Sequence, residues 1–390
     1  MEKIRVVLCA NTDWYLFNFR RSLADRLRND HGAEVICLCP DGPYRPRLEA
    51  EGYLWREVRM DCHGISPGRD LALCLQLTKA FNELRPTLLH NFTIKPVIWG
   101  SLAAWFAGVP FTVNAFTGLG ATFQNRSLRS RVAKWVVTLL LQLVTRLPNT
   151  RFIFQNPEDQ ALIQRLTGLP GERTAIIPGS GVDTIRFHPA AVHPIPPVVL
   201  FVGRLLRDKG ILVFCEMAKL VRMTRPEVVF WIAGEADLGN PDSLSPAEIQ
   251  ALANANPWLH FLGHVEHMAS LYPQVSLVVL PSRGEGVPRS LVEAAACGKP
   301  LVATRVPGCQ DIVEHGGNGL LVERPGPLEV KAAVLEILGD EAKAASFGKR
   351  GRQLVLDRFS EERVNLETIR SYGWPIHPKP RVRPPFGEKP

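Results

Sequence analysis

The chain has 390 residues, too many for one ordinary hydrophobic core, so its length favours two domains. Hydrophobic residues make up 46% and charged residues 22%, a globular composition that excludes wholesale disorder. The formal net charge of +8 suits anionic lipid, phosphorylated substrates or nucleic acid, and by itself selects none of them.

Short apolar runs alternate with longer amphipathic segments along the chain. The first run, over 4–10, carries Lys3 and Arg5 near its start but is too short for the apolar core of a signal peptide. It reads as a buried strand. Further strands are predicted over 34–39, 88–90, 111–115 and 151–154, with helices over 19–29 and 71–84. In the second half, strands are predicted over 198–202, 228–232, 260–262, 277–280 and 301–303, with helices over 212–222 and 289–297. Strands and helices alternating at this spacing imply parallel sheets covered by helices on both faces. Between the halves, residues 188–197 contain four prolines and cannot continue a helix or a central strand. The expected organisation is therefore a domain over 1–187, a linker over 188–197 and a second α/β domain over 198–360. A helix over 361–373 and a flexible basic tail over 374–390 follow. Two such domains would face each other across a cleft, with the carboxyl ends of their strands towards it.

No segment approaches the roughly 18 uninterrupted apolar residues that a membrane span needs. The nearest, 132–144, is broken by Lys134, Thr138 and Gln142. The eight cysteines form no CxxC pair and no zinc spacing. They read as reduced thiols packed as small hydrophobes, which fits a cytoplasmic protein.

Two stretches of the second half carry chemistry. The first is Glu285-Gly-Val-Pro-Arg-Ser-Leu-Val-Glu293. It places Glu285 on a loop at a strand's carboxyl end and opens a helix near Arg289. A helix N-terminus presents free N–H groups and partial positive charge, which suit a diphosphate. Glu293, one turn in, suits a ribose, and Glu285 suits sugar hydroxyls. The second stretch is Phe201-Val-Gly-Arg204-Leu-Leu-Arg207-Asp-Lys209-Gly210, directly after a strand. Arg204 offers a bidentate fork and Lys209 a point charge to the same diphosphate.

These stretches resemble glycosyltransferase family 4, whose members have the GT-B fold of two Rossmann-like α/β domains and retain anomeric configuration. The resemblance runs to about residue 360 and includes Trp231-Ile-Ala-Gly-Glu235, Phe261-Leu-Gly-His-Val265 and Gly316-Gly-Asn-Gly-Leu-Leu-Val322. It implies that Arg204 and Lys209 bind the donor diphosphate, that Glu285 binds the transferred sugar and that Glu293 binds the ribose. It adds Gly286, Val287, Ser290, Leu291, Gly234 and Val265 to the donor side. A UDP-sugar is the implied donor substrate, with a hexose or N-acetylhexosamine to transfer. No metal or other cofactor is implied, and no Asp-x-Asp pair is present to hold one.

Within the family, the likeness is to enzymes that extend polyprenyl-diphosphate-linked sugars. It rests on Asn11-Thr-Asp-Trp-Tyr-Leu-Phe-Asn-Phe-Arg20, His90-Asn-Phe-Thr-Ile-Lys-Pro96 and Phe116-Thr-Gly-Leu-Gly-Ala-Thr-Phe123. All three are expected to line the acceptor side of the cleft. Lys95 and Arg20 are candidates for acceptor phosphate, with His90, Thr117 and Gly118 beside them. The chain departs from the pattern at Thr117, where many members have a histidine. His90 is a candidate for that role, or a buried structural histidine.

The segment 126–146 contains no acid. Leu128, Val132, Trp135, Leu139 and Leu143 recur at helical spacing, and Arg126, Arg129 and Arg131 crowd its start. A basic amphipathic helix with a Trp suits contact with an anionic membrane surface. The same apolar stripe also suits packing on a sheet. An NAD-dependent enzyme would need G-x-G-x-x-G after a strand, but Gly118-Leu-Gly120-Ala-Thr-Phe123 lacks the third glycine. No nucleic-acid module accompanies the basic cluster, so nucleic acid is not an expected partner. A nucleotide-sugar epimerase on the same fold and a basic nucleic-acid-binding protein stay open as alternatives. The expected protein is a peripheral enzyme on the cytoplasmic face of the plasma membrane.

Overall fold

The structure is a computed structural model that describes residues 4–61, 66–118, 128–190 and 194–373, with the backbone alone over 128–133. The chain divides into two compact units. One runs to Ser180 and is completed by the chain from Val364 onward; the other is Gly181–Arg363.

The first unit is a seven-stranded parallel sheet in the order β3-β2-β1-β4-β5-β6-β7. Its strands are β1 (Arg5–Cys9), β2 (Glu34–Cys39), β3 (Leu54–Glu57), β4 (Leu88–Phe92), β5 (Phe111–Ala115), β6 (Thr150–Phe154) and β7 (Thr174–Ile176). The central strands are buried on both faces, which is why they read as continuous apolar runs. The expected strands at 4–10, 34–39, 88–90, 111–115 and 151–154 correspond to β1, β2, β4, β5 and β6. The edge strands β3 and β7 were not anticipated. β3 is Leu-Trp-Arg-Glu and largely exposed, and β7 has three residues, so neither carries an apolar run.

The first helix is longer than the periodicity predicts. It spans Asp13–His31, because Thr12 caps its N-terminus by accepting from Tyr15 N at 3.1 Å, and Gly32 closes it in the left-handed region. Residues 13–18 are therefore helix as well. Arg20 consequently points inward and is 4% exposed.

The second unit is a six-stranded parallel sheet in the order β10-β9-β8-β11-β12-β13. It comprises β8 (Val198–Val202), β9 (Val229–Ala233), β10 (Leu259–Gly263), β11 (Leu277–Leu280), β12 (Leu301–Thr304) and β13 (Gly319–Val322). Two parallel-sheet α/β units with these strand orders are the expected fold class.

The units exchange chain at two places. The first unit ends at Ser180, before the Pro-rich segment, and Phe187 already lies buried in the core of the second unit. The physical reason is local pairing. Val182 N donates to Phe359 O at 2.8 Å, and Glu361 N donates to Val182 O at 3.0 Å. The expected boundaries at 187 and 360 thus differ from the observed ones at 180 and 363. The C-terminal helix, Glu361–Ser371, returns Val364, Ile369 and Tyr372 to the core of the first unit. The tail at 374–390 lies outside the described residues.

Among the described residues all cysteines are free and buried, as small hydrophobes should be. Removing the returning helix's contacts should loosen the first unit. Ile369→Ala is expected to cost about 2–4 kcal/mol, the usual range for such a truncation, read as a lower urea midpoint.

Candidate functional site

In the six-stranded sheet the strand order reverses between β8 and β11. Loops leaving the carboxyl ends of two such strands diverge and leave a crevice, the usual ligand position in parallel α/β sheets. The loop after β8 passes Arg204 and tightens into a 3-10 turn at Arg207–Lys209. Asp208 N donates to Asp242 Oδ2 at 2.7 Å, and Arg207 Nη1 donates to Ser243 O at 2.9 Å. On its other side, Asp208 O accepts from Arg283 N at 2.8 Å. That bond ties the β8 loop to the loop after β11.

The two loops meet in an ion pair, with Lys209 Nζ donating to Glu285 Oε2. The Glu285 side chain is almost wholly buried, and its Oε1 has no hydrogen-bond partner among the described residues. One carboxylate oxygen is thus held by a lysine, and the other is an acceptor still to be filled. Arg204 is exposed and is tethered by Asp237, Nη1 to Oδ2 at 2.6 Å.

The helix Arg289–Ala296 follows Glu285, and no side chain caps its N-terminus. Glu293 on this helix is buried. Its Oε1 accepts from Arg289 Nε at 2.8 Å, and its Oε2 lies 3.1 Å from the Tyr272 hydroxyl. Burial, and then the Glu293 charge, push the Tyr272 phenol well above its ordinary value. The phenol therefore keeps its proton and serves as a donor. These contacts fix the orientation of Glu293.

Two glycines set the floor of the crevice. A Cβ at Gly308, where φ is +77°, would stand 1.6 Å from Gly286 O, so only glycine lets the 308 backbone support the Glu285 loop. A Cβ at Gly234 would stand 1.9 Å from Gly203 O, so the β8 and β9 loops touch because residue 234 lacks a side chain.

The predicted donor-side residues thus converge around the β8–β11 switch. Lys209 and Glu285 are in contact, and Gly286, Val287 and Ser290 lie on the same loop and helix start. Gly234 and Val265 lie on the loops after β9 and β10. Leu291 differs: its side chain is in the core, and its N–H is taken by Pro288 O at 3.0 Å. Sequence reasoning missed Asp237, Tyr272 and Gly308. For Gly308 a signal existed, in Pro307-Gly308 after a predicted strand; for Tyr272 none did.

In the first unit the order reverses between β1 and β4, and the residues predicted there fare unequally. Lys95 is mostly buried against Asp70, Nζ to Oδ1 at 3.4 Å, so its charge already has a partner. Thr117 and Gly118 are partly exposed just after β5, and the chain then passes outside the described residues. His90 is fully buried in β4, with Nδ1 2.7 Å from the Tyr372 hydroxyl. Burial, then the Arg20 charge, hold its ring well below the ordinary value of 6.5. It is a neutral interior histidine that lines a pocket with Arg20. Of the predicted membrane contacts, Arg126 lies outside the described residues, as do the side chains of Arg129 and Arg131. Trp135, on the helix Leu128–Arg146, is 64% exposed.

Comparison with known proteins gives two family matches. The family described as "Glycosyl transferase 4-like" matches residues 5–155, and "Glycosyl transferases group 1" matches residues 196–340. N,N'-diacetylbacillosaminyl-diphospho-undecaprenol alpha-1,3-N-acetylgalactosaminyltransferase of Campylobacter jejuni is 24% identical, over 95% of this chain and 98% of its own. UDP-Gal:alpha-D-GlcNAc-diphosphoundecaprenol alpha-1,3-galactosyltransferase of Escherichia coli is 27% identical, over 67% of this chain and 69% of its own. Among solved structures, Anabaena HepE in complex with UDP superposes with a TM-score of 0.76 at 19% identity. It covers 95% of this chain and all of its own. That likeness shows the fold.

The state of His90 predicts a pH dependence. Its folded value is depressed, so its contribution to stability is complete above the unfolded value near 6.5. It is lost as pH falls towards the folded value, because the unfolded chain takes up a proton that the buried ring refuses. Urea midpoints measured between pH 8 and pH 5 should fall on the acid side, and His90→Gln should flatten that fall.

Proposed function

Since the chain belongs to the group 1, family 4-like glycosyltransferases, we propose that it moves a hexose or N-acetylhexosamine from a UDP-sugar to a polyprenyl-diphosphate-linked saccharide, with retention of configuration. The observation that carries this reading is the Lys209–Glu285 pair at the β8–β11 switch, beside the uncapped helix Arg289–Ala296. The relatives named above act, by their names, on diphospho-undecaprenol-linked sugars.

The chemistry follows from what each group can do. The donor's diphosphate must gain negative charge as the glycosidic bond breaks. Arg204, Lys209 and the N–H groups at the start of helix Arg289–Ala296, other than those of Leu291 and Val292 that Pro288 O accepts, are proposed to meet that charge. The transfer is therefore proposed to need no metal. Glu285 Oε1, buried and unfilled, accepts from a hydroxyl of the transferred sugar. Glu293, held by Arg289 and Tyr272, accepts from the ribose. The acceptor hydroxyl attacks the face from which the diphosphate departs, and a diphosphate oxygen takes its proton. Side chains here orient the substrates and stabilise charge. Thr117 and Gly118 are proposed to meet the acceptor.

Contact with an anionic membrane is part of the same reading, on the cytoplasmic face. No helix among the described residues is long and apolar enough to cross a membrane. The helix Leu128–Arg146 has two apolar faces. Val137, Leu141 and Val144 are buried in the core, whereas Trp135, Leu139 and Leu143 are exposed. The outer stripe is more apolar surface than packing requires. With the basic residues at its start, it suits the interfacial region of a bilayer.

Purified protein incubated with radiolabelled UDP-sugars and polyprenyl-diphosphate-sugar acceptors should yield label extractable into organic solvent, with or without EDTA. Glu285→Gln and Arg204→Met should each lower kcat/KM by about 10²–10³, the range for removing one charge-stabilising contact. Donor binding without extractable label for any pair would move the acceptor to a soluble molecule or the reaction to epimerisation. Separately, Trp135→Ser should weaken sedimentation with phosphatidylglycerol vesicles while leaving transfer to a short-chain, detergent-dispersed acceptor intact.

A further inference from the structure

The first unit contains a buried cation for which the fold supplies no anion. Arg20 is 4% exposed. Its Nε and Nη2 donate to the Tyr15 hydroxyl at 3.1 and 2.7 Å, and its guanidinium carbon lies 4.4 Å from the centre of the Phe92 ring. A phenol and an aromatic face are neutral. Among the described residues no carboxylate pairs with Arg20, and its remaining N–H groups have no partner. Arginine stays charged in a protein interior, and an isolated interior charge is strongly unfavourable unless something compensates it.

A second unsatisfied group faces the same place. His90 Nε2 is buried and has no hydrogen-bond partner among the described residues. The Tyr372 hydroxyl contacts His90 Nδ1 alone, so its proton is satisfied only by donation to Nδ1. The neutral ring then carries its hydrogen on Nε2. Arg20 and His90 line one pocket, together with Phe116, Gln155, Gly179 and Thr368. No carboxylate among the described residues lines it. A guanidinium and an imidazole N–H, both buried and both short of acceptors, select an oxyanion and reject a cation. The pocket lies where β5 and β6 end, at the sheet end where parallel α/β folds bind ligands.

We propose that this pocket is an oxyanion site in which Arg20 and His90 Nε2 hold a phosphate group, supplied by the diphosphate of the lipid-linked acceptor. The assignment to the acceptor rests on the transfer reading above; the binding of phosphate does not. The C-terminal helix belongs to the site, since Tyr372 sets the His90 tautomer and Thr368 lines the wall.

The test begins with the unaltered protein. Inorganic phosphate, added against chloride at equal ionic strength, should raise Tm with a saturable, one-site dependence, because it binds the folded state alone. Arg20→Met should abolish that dependence, and His90→Gln, which keeps a donor near the Nε2 position, should retain part of it. In transfer assays, Arg20→Met should raise the KM for a polyprenyl-diphosphate-sugar at least tenfold with the KM for the UDP-sugar unchanged. Phosphate should compete with that acceptor. Saturable phosphate binding lost in Arg20→Met, without competition against the acceptor, would keep the oxyanion site and overturn the acceptor as its source. No saturable phosphate effect on the unaltered protein would overturn the site itself. If no donor and acceptor pair gives transfer, the phosphate titration still decides the site, so failure of the two readings can be told apart.

Discussion

The contact between Lys209 and Glu285 depends on a reversal of strand order. β8 has β9 on one side and β11 on the other, so residues 76 positions apart leave neighbouring strands at the same end of the sheet. The bond from Arg283 N to Asp208 O then holds the two loops at one spacing. Gly308 supports the second loop from below, and its missing Cβ is what allows that approach. The uncapped helix start, the buried carboxylate oxygen of Glu285 and the oriented Glu293 all take their positions from this reversal. The crevice thus gathers cations, a helix N-terminus and acceptors, the groups that the proposed donor would need.

The first unit repeats the topology with different chemistry. Its reversal lies between β1 and β4, and the groups near it are buried where the donor-side cation Arg204 is exposed. Arg20 and His90 sit inside the unit, and Lys95 is already matched by Asp70. The second unit combines an exposed arginine with buried glutamates, whereas in the first Arg20 and Lys95 both lie inside.

Much of this arrangement was legible in the sequence. Central strands of a parallel sheet are buried on both faces, so β1, β4, β8 and β11 appear as apolar runs. The loop residues Arg204, Lys209 and Glu285, and Glu293 on the helix that follows, are readable because each comes after such a run at short range. What escaped reading was long-range or lacked an apolar signature. β3 and β7 are edge strands, one exposed and one of three residues. Arg20 fell at the start of the predicted helix over 19–29, and nothing local showed that a helix beginning at Asp13, which Thr12 caps, would carry it into the interior. The pairing of His90 with Tyr372 spans 282 residues, and no local pattern announces it. The helix Leu128–Arg146 read as a single apolar stripe, whereas the fold splits it into a buried face and an exposed one.

The return of residues 364–372 to the first unit bears on the order of events during synthesis. A ribosome delivers the chain from its N-terminus, and domains generally fold as units as they emerge. The second unit is one continuous stretch, Gly181–Arg363, and has its whole core available once that stretch is out. The first unit, although its strands are synthesised earlier, lacks Val364, Ile369 and Tyr372 until the whole second unit has been made. Until then His90 has no hydroxyl at its Nδ1 and the first sheet has one face incompletely covered. A nascent chain must therefore carry an unfinished N-terminal unit through the making of a finished second one, and premature termination after the second unit would release a protein with its β8–β11 crevice built and its first unit still open.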